Sequence, residues 1–332
     1  MPRISVLLPC FNQGAFLDAA VDSVLAQTFQ DFEIIVVDDG SDEPQTVEKL
    51  SSYSRPRTRV IRTANAGLPA ARNAAARAAT GEFFCALDAD DRLAPEWFAR
   101  AVAHLDAHQD VAFVSHWFET FGEEHWTWTP RDCDLPALLA RNTINGAALV
   151  RREAFQAVGA YDASMRHGCE DWDLWLRLVG RGFHGAIIPE VLFFYRRTAG
   201  SMSRVMLDER AYRVPLEQLI DRHSGEYQSH LVDVLVRKDL ESLGLFREIH
   251  ALERRHLMEM APAIARAREE LAALESGMPA ARRRASEHDE LERLRFTAGD
   301  LQRQLGDLHA SWSWRLMRPL RSLVGWWRGE SR

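Results

Sequence analysis

The sequence predicts an α/β fold, a mostly parallel sheet flanked by helices, followed by an α-helical extension. Short apolar runs alternate with helical patterns over roughly the first hundred residues, the signature of a parallel sheet with helices on both faces. Three of those runs end in polar groups, at Pro9 to Asn12, Asp38 to Ser41 and Asp88 to Asp91, as strands do when they deliver residues to one ligand-binding edge. The C-terminal third instead carries leucines at heptad spacing.

Ile4 to Leu8 is a first apolar strand, stopped by Pro9. Phe16, Leu17, Ala20, Val21, Val24 and Leu25 recur at helical spacing. Phe32 to Val37 is a second buried strand and Val60 to Arg62 a brief third. An Ala-rich helix runs from Leu68 to Ala79, with Gly81 as its expected stop. Phe83 to Leu87 is the next strand, Val111 to Val114 another, and Trp117 to Trp128 an aromatic, irregular stretch. Ala147 to Val150 is a strand leading into a helix at Arg151 and Arg152, and Trp172, Leu174 to Leu176, Leu178 and Val179 mark a further helix.

At 332 residues and 46% hydrophobic, the chain is long enough for a full core and a second region. A net charge of −7 gives no reason to expect nucleic acid as a partner. Cys10, Cys85, Cys133 and Cys169 are scattered, and Cys10 and Cys85 lie at or inside strands as small buried hydrophobes, which fits a reduced, cytoplasmic compartment. The first strand begins at Ile4, so no signal peptide is expected, and no apolar run reaches the length of a membrane span.

The chemistry concentrates after the Phe83 strand. Asp88 and Asp90 are two apart, so in extended backbone both project to one side, with Asp91 just beyond. Carboxylates crowded behind a core strand repel one another; a divalent cation removes that repulsion, and hard oxygen ligands suit Mg²⁺ or Mn²⁺. A solvated acidic turn would explain the charges but not their position. Glu170 and Asp171 occupy the first turn of a helix, where the dipole favours one acid and also holds a catalytic carboxylate rigidly. A dinucleotide-binding reading fails, because GxGxxG is absent after the first strand, where Pro9-Cys10-Phe11-Asn12-Gln13-Gly14 stands.

Several ordered blocks resemble the family-2 glycosyltransferases of GT-A fold over about residues 1 to 205. They are ISVLLPCFNQGAFLDAAVDSVLAQTFQDFEIIVVDDGS, NAGLPAARNAAARAATGEFFCALDADD, EDWDLWLR and YRRTAGSMSR. The resemblance implies a Rossmann-like sheet and sugar transfer, with inversion, from a nucleotide-diphosphate donor to an acceptor hydroxyl. It implies that Asp39 accepts the N3–H of uracil or thymine, that Phe11 stacks on the base and that Arg72 contacts the nucleotide. It makes Asp90 the direct metal ligand, with Asp88 nearer the ribose and metal shell, and Asp171 the general base. Tyr195, Arg196, Arg197, Ser201 and Ser203 resemble the loop that closes over the diphosphate. Thr198 stands where many relatives have His, which removes an expected imidazole contact. No QxxRW appears, which favours addition of one or a few sugars over extrusion of a polymer.

Residues 1 to 225 form the expected catalytic domain and 226 to 310 a helical, partly coiled-coil extension. Leu257, Met260, Ile264, Ala267, Leu271 and Leu274 make one heptad seam, interrupted early by Pro262; Leu291, Leu294, Ala298, Leu301, Leu305 and Leu308 make a second. They form either an intramolecular hairpin turned at Gly277-Met278-Pro279 or a coil that makes a homo-oligomer. In residues 311 to 332, Trp312, Leu316, Leu320, Leu323 and Trp327 recur at helical spacing beside Arg315, Arg318 and Arg328. That pattern is read as a membrane-surface segment over 311 to 328, at the inner face of the plasma membrane, with a docking helix as the alternative. The phrase SWSWRLMRPLR resembles a tail of bacterial surface-polysaccharide glycosyltransferases.

The expected function is therefore sugar transfer from a UDP- or dTDP-sugar to a glycan or lipid-linked acceptor in cell-surface polysaccharide synthesis. A catalytically silent nucleotide- or glycan-binding scaffold would be expected to lose Asp90 or Asp171, and both are present. A nucleotidyltransferase would need a phosphate-gripping signature near the first strand, and none is found.

Overall fold

The computed structural model describes residues 1–198, 201 and 208–277. Its first half is an alternation: β1 (Ile4–Cys10), α1 (Gly14–Leu25), β2 (Phe32–Asp38), α2 (Pro44–Ser51), β3 (Thr58–Arg62), α3 (Leu68–Ala78) and β4 (Phe83–Ala86). Then come β5 (Arg92–Leu93), α4 (Trp97–Ala107), β6 (Val111–Gly122), β7 (Thr127–Trp128), α5 (Leu135–Ala140), β8 (Leu149–Arg151), α6 (Arg152–Ala157), α7 (Glu170–Gly180) and β9 (His184–Arg197). Three helices follow: α8 (Glu209–Arg222), α9 (Ser224–Ser229) and α10 (Leu231–Gly277).

The sheet runs β3-β2-β1-β4-β8-β6-β9-β5, with β7 paired to β6. The first four strands are parallel, and β8 is antiparallel to both β4 and β6. Since β9 runs parallel to β6, the carboxyl ends of β1, β2, β4, β6 and β9 all reach one edge. Both faces of the central strands are covered, which is why they read as unbroken apolar runs. Val6, Leu8, Ile34 and Val36 pack with Leu17 and Val21 of α1 and Trp97 and Phe98 of α4. Leu7, Ile35, Val37 and Phe84, one residue out of phase, pack with Ala71 and Ala75 of α3 and Trp172 and Trp175 of α7.

Four local expectations change. β1 does not stop at Pro9 but continues to Cys10. The Leu7 carbonyl points toward β4 and accepts from Leu87 N–H, and Pro9 faces the same side where the β4 ladder, last paired at Ala86, has ended. The missing Pro9 N–H therefore breaks no ladder bond. Gly81 does not stop α3, which ends in an extended Ala79; a Cβ on Gly81 would lie 2.7 Å from Ser5 N, so close backbone approach is what needs glycine. The stretch from Trp117 to Trp128 is regular rather than irregular: β6 extends to Gly122 and β7 pairs back on it.

The fourth change is β9. Tyr195, Arg196 and Arg197 end a fourteen-residue strand instead of lying on a loop. Its ladder with β6 is irregular between His116 and Trp117, a bulge that accommodates Pro189. At Gly185 a Cβ would fall 2.2 Å from the Phe113 ring, so the missing side chain is what lets that ring pack.

The chain divides into two compact units, Met1–Arg237 and Lys238–Arg332. α10 is one helix with Pro262 inside it, and Met260 and Ile264 of the first heptad seam are buried. The hairpin turn beyond Gly277, the second seam and the Trp/Arg-rich tail lie outside the described residues. Among the described residues no helix is long and apolar enough to cross a membrane.

Candidate active site

Three neighbouring strand ends build one side of the site. Phe11 follows β1 and is 43% exposed, its ring available to a flat ligand. Asp39 follows β2 and is buried; Oδ1 accepts from Ala66 N–H at 3.0 Å and Oδ2 from Gly67 N–H at 2.9 Å. Thr63 Oγ1 also donates to Oδ1, at 3.3 Å, so the further acceptor position lies on Oδ2. Asn12, which sequence reasoning missed, stitches the first two strand ends together. Its amide oxygen accepts from Asp42 and Glu43 N–H, its own N–H donates to Ser41 Oγ, and its φ of 54° is left-handed.

Beyond β4 the three acids separate by role. Asp88 is half-buried and pairs with Arg72 at 2.7 Å. Burial, and then the Asp88 charge, push the Asp90 carboxyl up to about 6. Asp91 is buried, accepts from Arg196 N–H at 2.8 Å, and is held above the carboxylate range by burial and the two neighbouring acids. It is therefore an inward strut. Arg196 also donates from Nε to the Asp90 carbonyl at 2.9 Å, and its guanidinium lies 4.5 Å from the ring centres of both Phe16 and Phe121.

Asp88 and Asp90 are the two acids that would hold a metal, since Asp91 is turned inward to Arg196 N–H. Among the described residues no group of three His, Cys, Asp or Glu is placed to hold one alone. Mg²⁺ is commonly held by one or two carboxylates, with waters and substrate phosphates completing its shell. Burial and the Asp88 charge both disfavour a bare carboxylate at Asp90, and a divalent cation would offset that penalty.

The other side of the site comes from α7. Glu170 is buried and accepts from Arg72 Nη1 at 2.6 Å, while Arg72 Nη2 reaches Asp88. Burial alone would lower the Arg72 pKa; the two carboxylates outweigh it and keep the guanidinium charged, 5.4 Å from the centre of the Tyr161 ring. Asp171 is half-buried, accepting from Trp172 N–H at 2.7 Å and Asn142 Nδ2 at 3.2 Å. Burial and then Glu170 hold its carboxyl above the ordinary range. Two residues on, fully buried Asp173 accepts from Arg177 Nε at 2.8 Å and Arg222 Nε at 3.1 Å and lies 3.0 Å from His223 Nε2. That clamp ties α7 to α8 and its C-cap.

The remaining expected residues sit at the end of β9. Tyr195 is half-buried among Phe118 and Phe193, with ring centres 5.7 and 6.2 Å away. Arg197 is buried and donates to Glu124 Oε2 at 3.1 Å. Ser201 Oγ accepts from Thr198 N–H at 2.9 Å, closing a small turn. Ser203 lies outside the described residues.

The family model described as Glycosyl transferase family 2 matches residues 5–163. An uncharacterized glycosyltransferase of Haemophilus influenzae is 29% identical over 53% of this chain, which spans 62% of that relative's length. A PGL/p-HBAD biosynthesis glycosyltransferase of Mycobacterium bovis is 30% identical, with 71% of this chain and 91% of the relative covered. The crystal structure of S. aureus TarS 1–349 in complex with UDP-GlcNAc matches with a TM-score of 0.51 at 19% identity, over 67% of this chain and 72% of that one. At that identity the likeness to TarS is one of fold.

Proposed function

The chain belongs to glycosyltransferase family 2, and on that premise we propose an inverting transfer of a sugar from a UDP- or dTDP-sugar to the hydroxyl of a glycan or lipid-linked acceptor. The carrying observation is the Arg72 bridge. One buried guanidinium joins Asp88, at the end of β4, to Glu170, beside Asp171 on α7. A donor-side carboxylate and a candidate base are thereby held at one place.

In this reading the free acceptor position on Asp39 Oδ2 receives the N3–H of uracil or thymine, and the exposed Phe11 ring stacks on the base. The UDP-GlcNAc held by TarS is a donor of this kind. Arg72 keeps Asp88 oriented for the nucleotide, and Tyr195, Arg196, Arg197 and Ser201 border the diphosphate. Asp88 and Asp90 would hold Mg²⁺ or Mn²⁺, in keeping with the general association of this family with divalent metals. Such a cation, when bound, offsets the charge that develops on the departing nucleoside diphosphate. Asp171 takes the proton from the attacking hydroxyl, and its raised pKa suits a base working near neutral pH. Residues 1 to 225 are the catalytic domain in this proposal. The heptads of 226 to 310 serve self-association, and residues 311 to 328 hold the enzyme at the inner face of the plasma membrane.

The test is a panel of nucleotide sugars incubated with Mg²⁺, Mn²⁺ or EDTA, with release of nucleoside diphosphate as the signal. Metal-dependent hydrolysis of at least one UDP- or dTDP-sugar is expected. Equal turnover with EDTA, or turnover of purine-nucleotide donors alone, would overturn the proposal.

A further inference from the structure

The loop between α5 and β8 carries two residues that the proposed chemistry has not used, Asn142 and Gly146. Asn142 donates from Nδ2 to Asp171 Oδ2, and its own Oδ1 accepts from Ile144 N–H at 3.2 Å. With the amide oxygen committed to the backbone, the NH₂ end is the one turned to the carboxylate. The other carboxylate oxygen, Oδ1, accepts from Trp172 N–H at 2.7 Å. Asp171 is thus held at both oxygens.

Gly146 approaches the same carboxylate oxygen, Oδ2. A Cβ added there would lie 3.6 Å from Arg72 Nη2 and 3.9 Å from Asp171 Oδ2, with nothing else within 4 Å. Its φ is not among the positive ones, so the backbone does not require glycine. Packing does not require it either, since both distances are ordinary van der Waals contacts. What the missing side chain leaves is a half-exposed gap bordered by Arg72 and Asp171 Oδ2.

We propose that this gap receives the acceptor hydroxyl, that Asp171 takes the proton on Oδ2, and that Asn142 is the positioning residue that turns Oδ2 toward the gap. The inference rests on Asp171 being the base. The acceptor O–H proton moves to Oδ2 while the acceptor oxygen forms its bond to the anomeric carbon. The bond from that carbon to the diphosphate oxygen breaks, and the nucleoside diphosphate leaves with the electron pair. Asn142 donates to the charged form of Asp171 and so opposes the upward push of burial and Glu170. Arg72, Tyr161 and Cys169 are the other titratable groups that bear on it.

The experiment compares the full chain with Gly146→Ala, Gly146→Val, Asn142→Ala, Asn142→Ser and Asp171→Asn, using hydrolysis of the panel donor that the parent turns over fastest, with water as the acceptor. A methyl in the gap should slow hydrolysis roughly 10-fold and valine further, with UDP affinity unchanged by calorimetry. Asn142→Ala should lower kcat without raising the donor KM and move the acidic limb of the rate to higher pH; serine, which can still donate, should restore part of both. The ¹³C shift of the Asp171 carboxyl, which needs no turnover, should titrate at higher pH in Asn142→Ala. Parent-like rates in both Gly146 variants, or an unmoved carboxyl titration, would overturn the inference; should valine prevent folding, alanine decides. Retention of hydrolysis by Asp171→Asn would mean instead that the base assignment itself is wrong.

Discussion

Arg72 donates to Glu170 at 2.6 Å, joining residues ninety-eight positions apart in the chain. The same guanidinium holds Asp88 at 2.7 Å, so removing it leaves Glu170 as a buried charge without its partner. Arg72→Ala should therefore lower folding stability by about 3–5 kcal/mol, the usual cost of breaking one side of a buried ion pair. Urea denaturation measures it, and a loss below about 1 kcal/mol, the level of an exposed pair, would show that Arg72 is no structural bridge.

The Asp90 carboxyl, pushed up to about 6 by burial and Asp88, should make metal binding depend on pH. Below about 6 it carries a proton that the cation must displace; above it the carboxylate is free to ligate. Mn²⁺ affinity, measured with UDP present, should rise with pH through that region in the parent. Asp90→Asn should bind weakly with only the pH dependence that UDP itself supplies, and Asp90→Ala should lose donor turnover with the fold intact. Parallel pH curves for parent and Asp90→Asn, or near-normal turnover by Asp90→Ala, would remove Asp90 from the metal site.

Asp39 predicts a choice of base. In the proposed role, uracil and thymine would present an N3–H to the free position on Oδ2 and adenine would not, so UDP and TDP should bind more tightly than ADP. Calorimetry that ranks ADP first contradicts this. Asp39→Ala should also destabilise the protein, because the carboxylate holds the Ala66 and Gly67 amides at the entrance to α3.

The parallel half of the sheet was legible because β1, β2 and β4 are buried on both faces and announce themselves as apolar runs. β9 was hidden by Gly185 and Pro189, ordinarily strand breakers, whose places depend on the Phe113 ring and on a bulge against β6. Within the site, Asp88, Asp90 and Asp171 stand out by position at element ends. The Arg72 bridge and the Asn142 contact join residues distant in sequence, and only the folded chain brings them together.

The tail gives a separable prediction. Deleting residues 311 to 332 should release the enzyme from anionic vesicles while sparing hydrolysis of soluble donor, since tryptophan and arginine on an amphipathic segment suit a charged headgroup region. Equal co-sedimentation of the truncated and full-length chains would contradict it.

The most direct test sets Asp171→Asn beside Glu170→Gln, with UDP and metal binding and sugar transfer measured on each. Asparagine keeps the shape and a hydrogen-bonding oxygen but cannot take a proton near neutral pH. Asp171→Asn should bind UDP and metal normally and lose transfer by roughly 10²–10⁴-fold, the usual worth of a positioned base. Glu170→Gln should keep transfer to the extent that the neutral amide still supports Arg72. If Glu170→Gln abolishes transfer with binding intact while Asp171→Asn retains it, the base is Glu170 and the assignment of Asp171 is wrong.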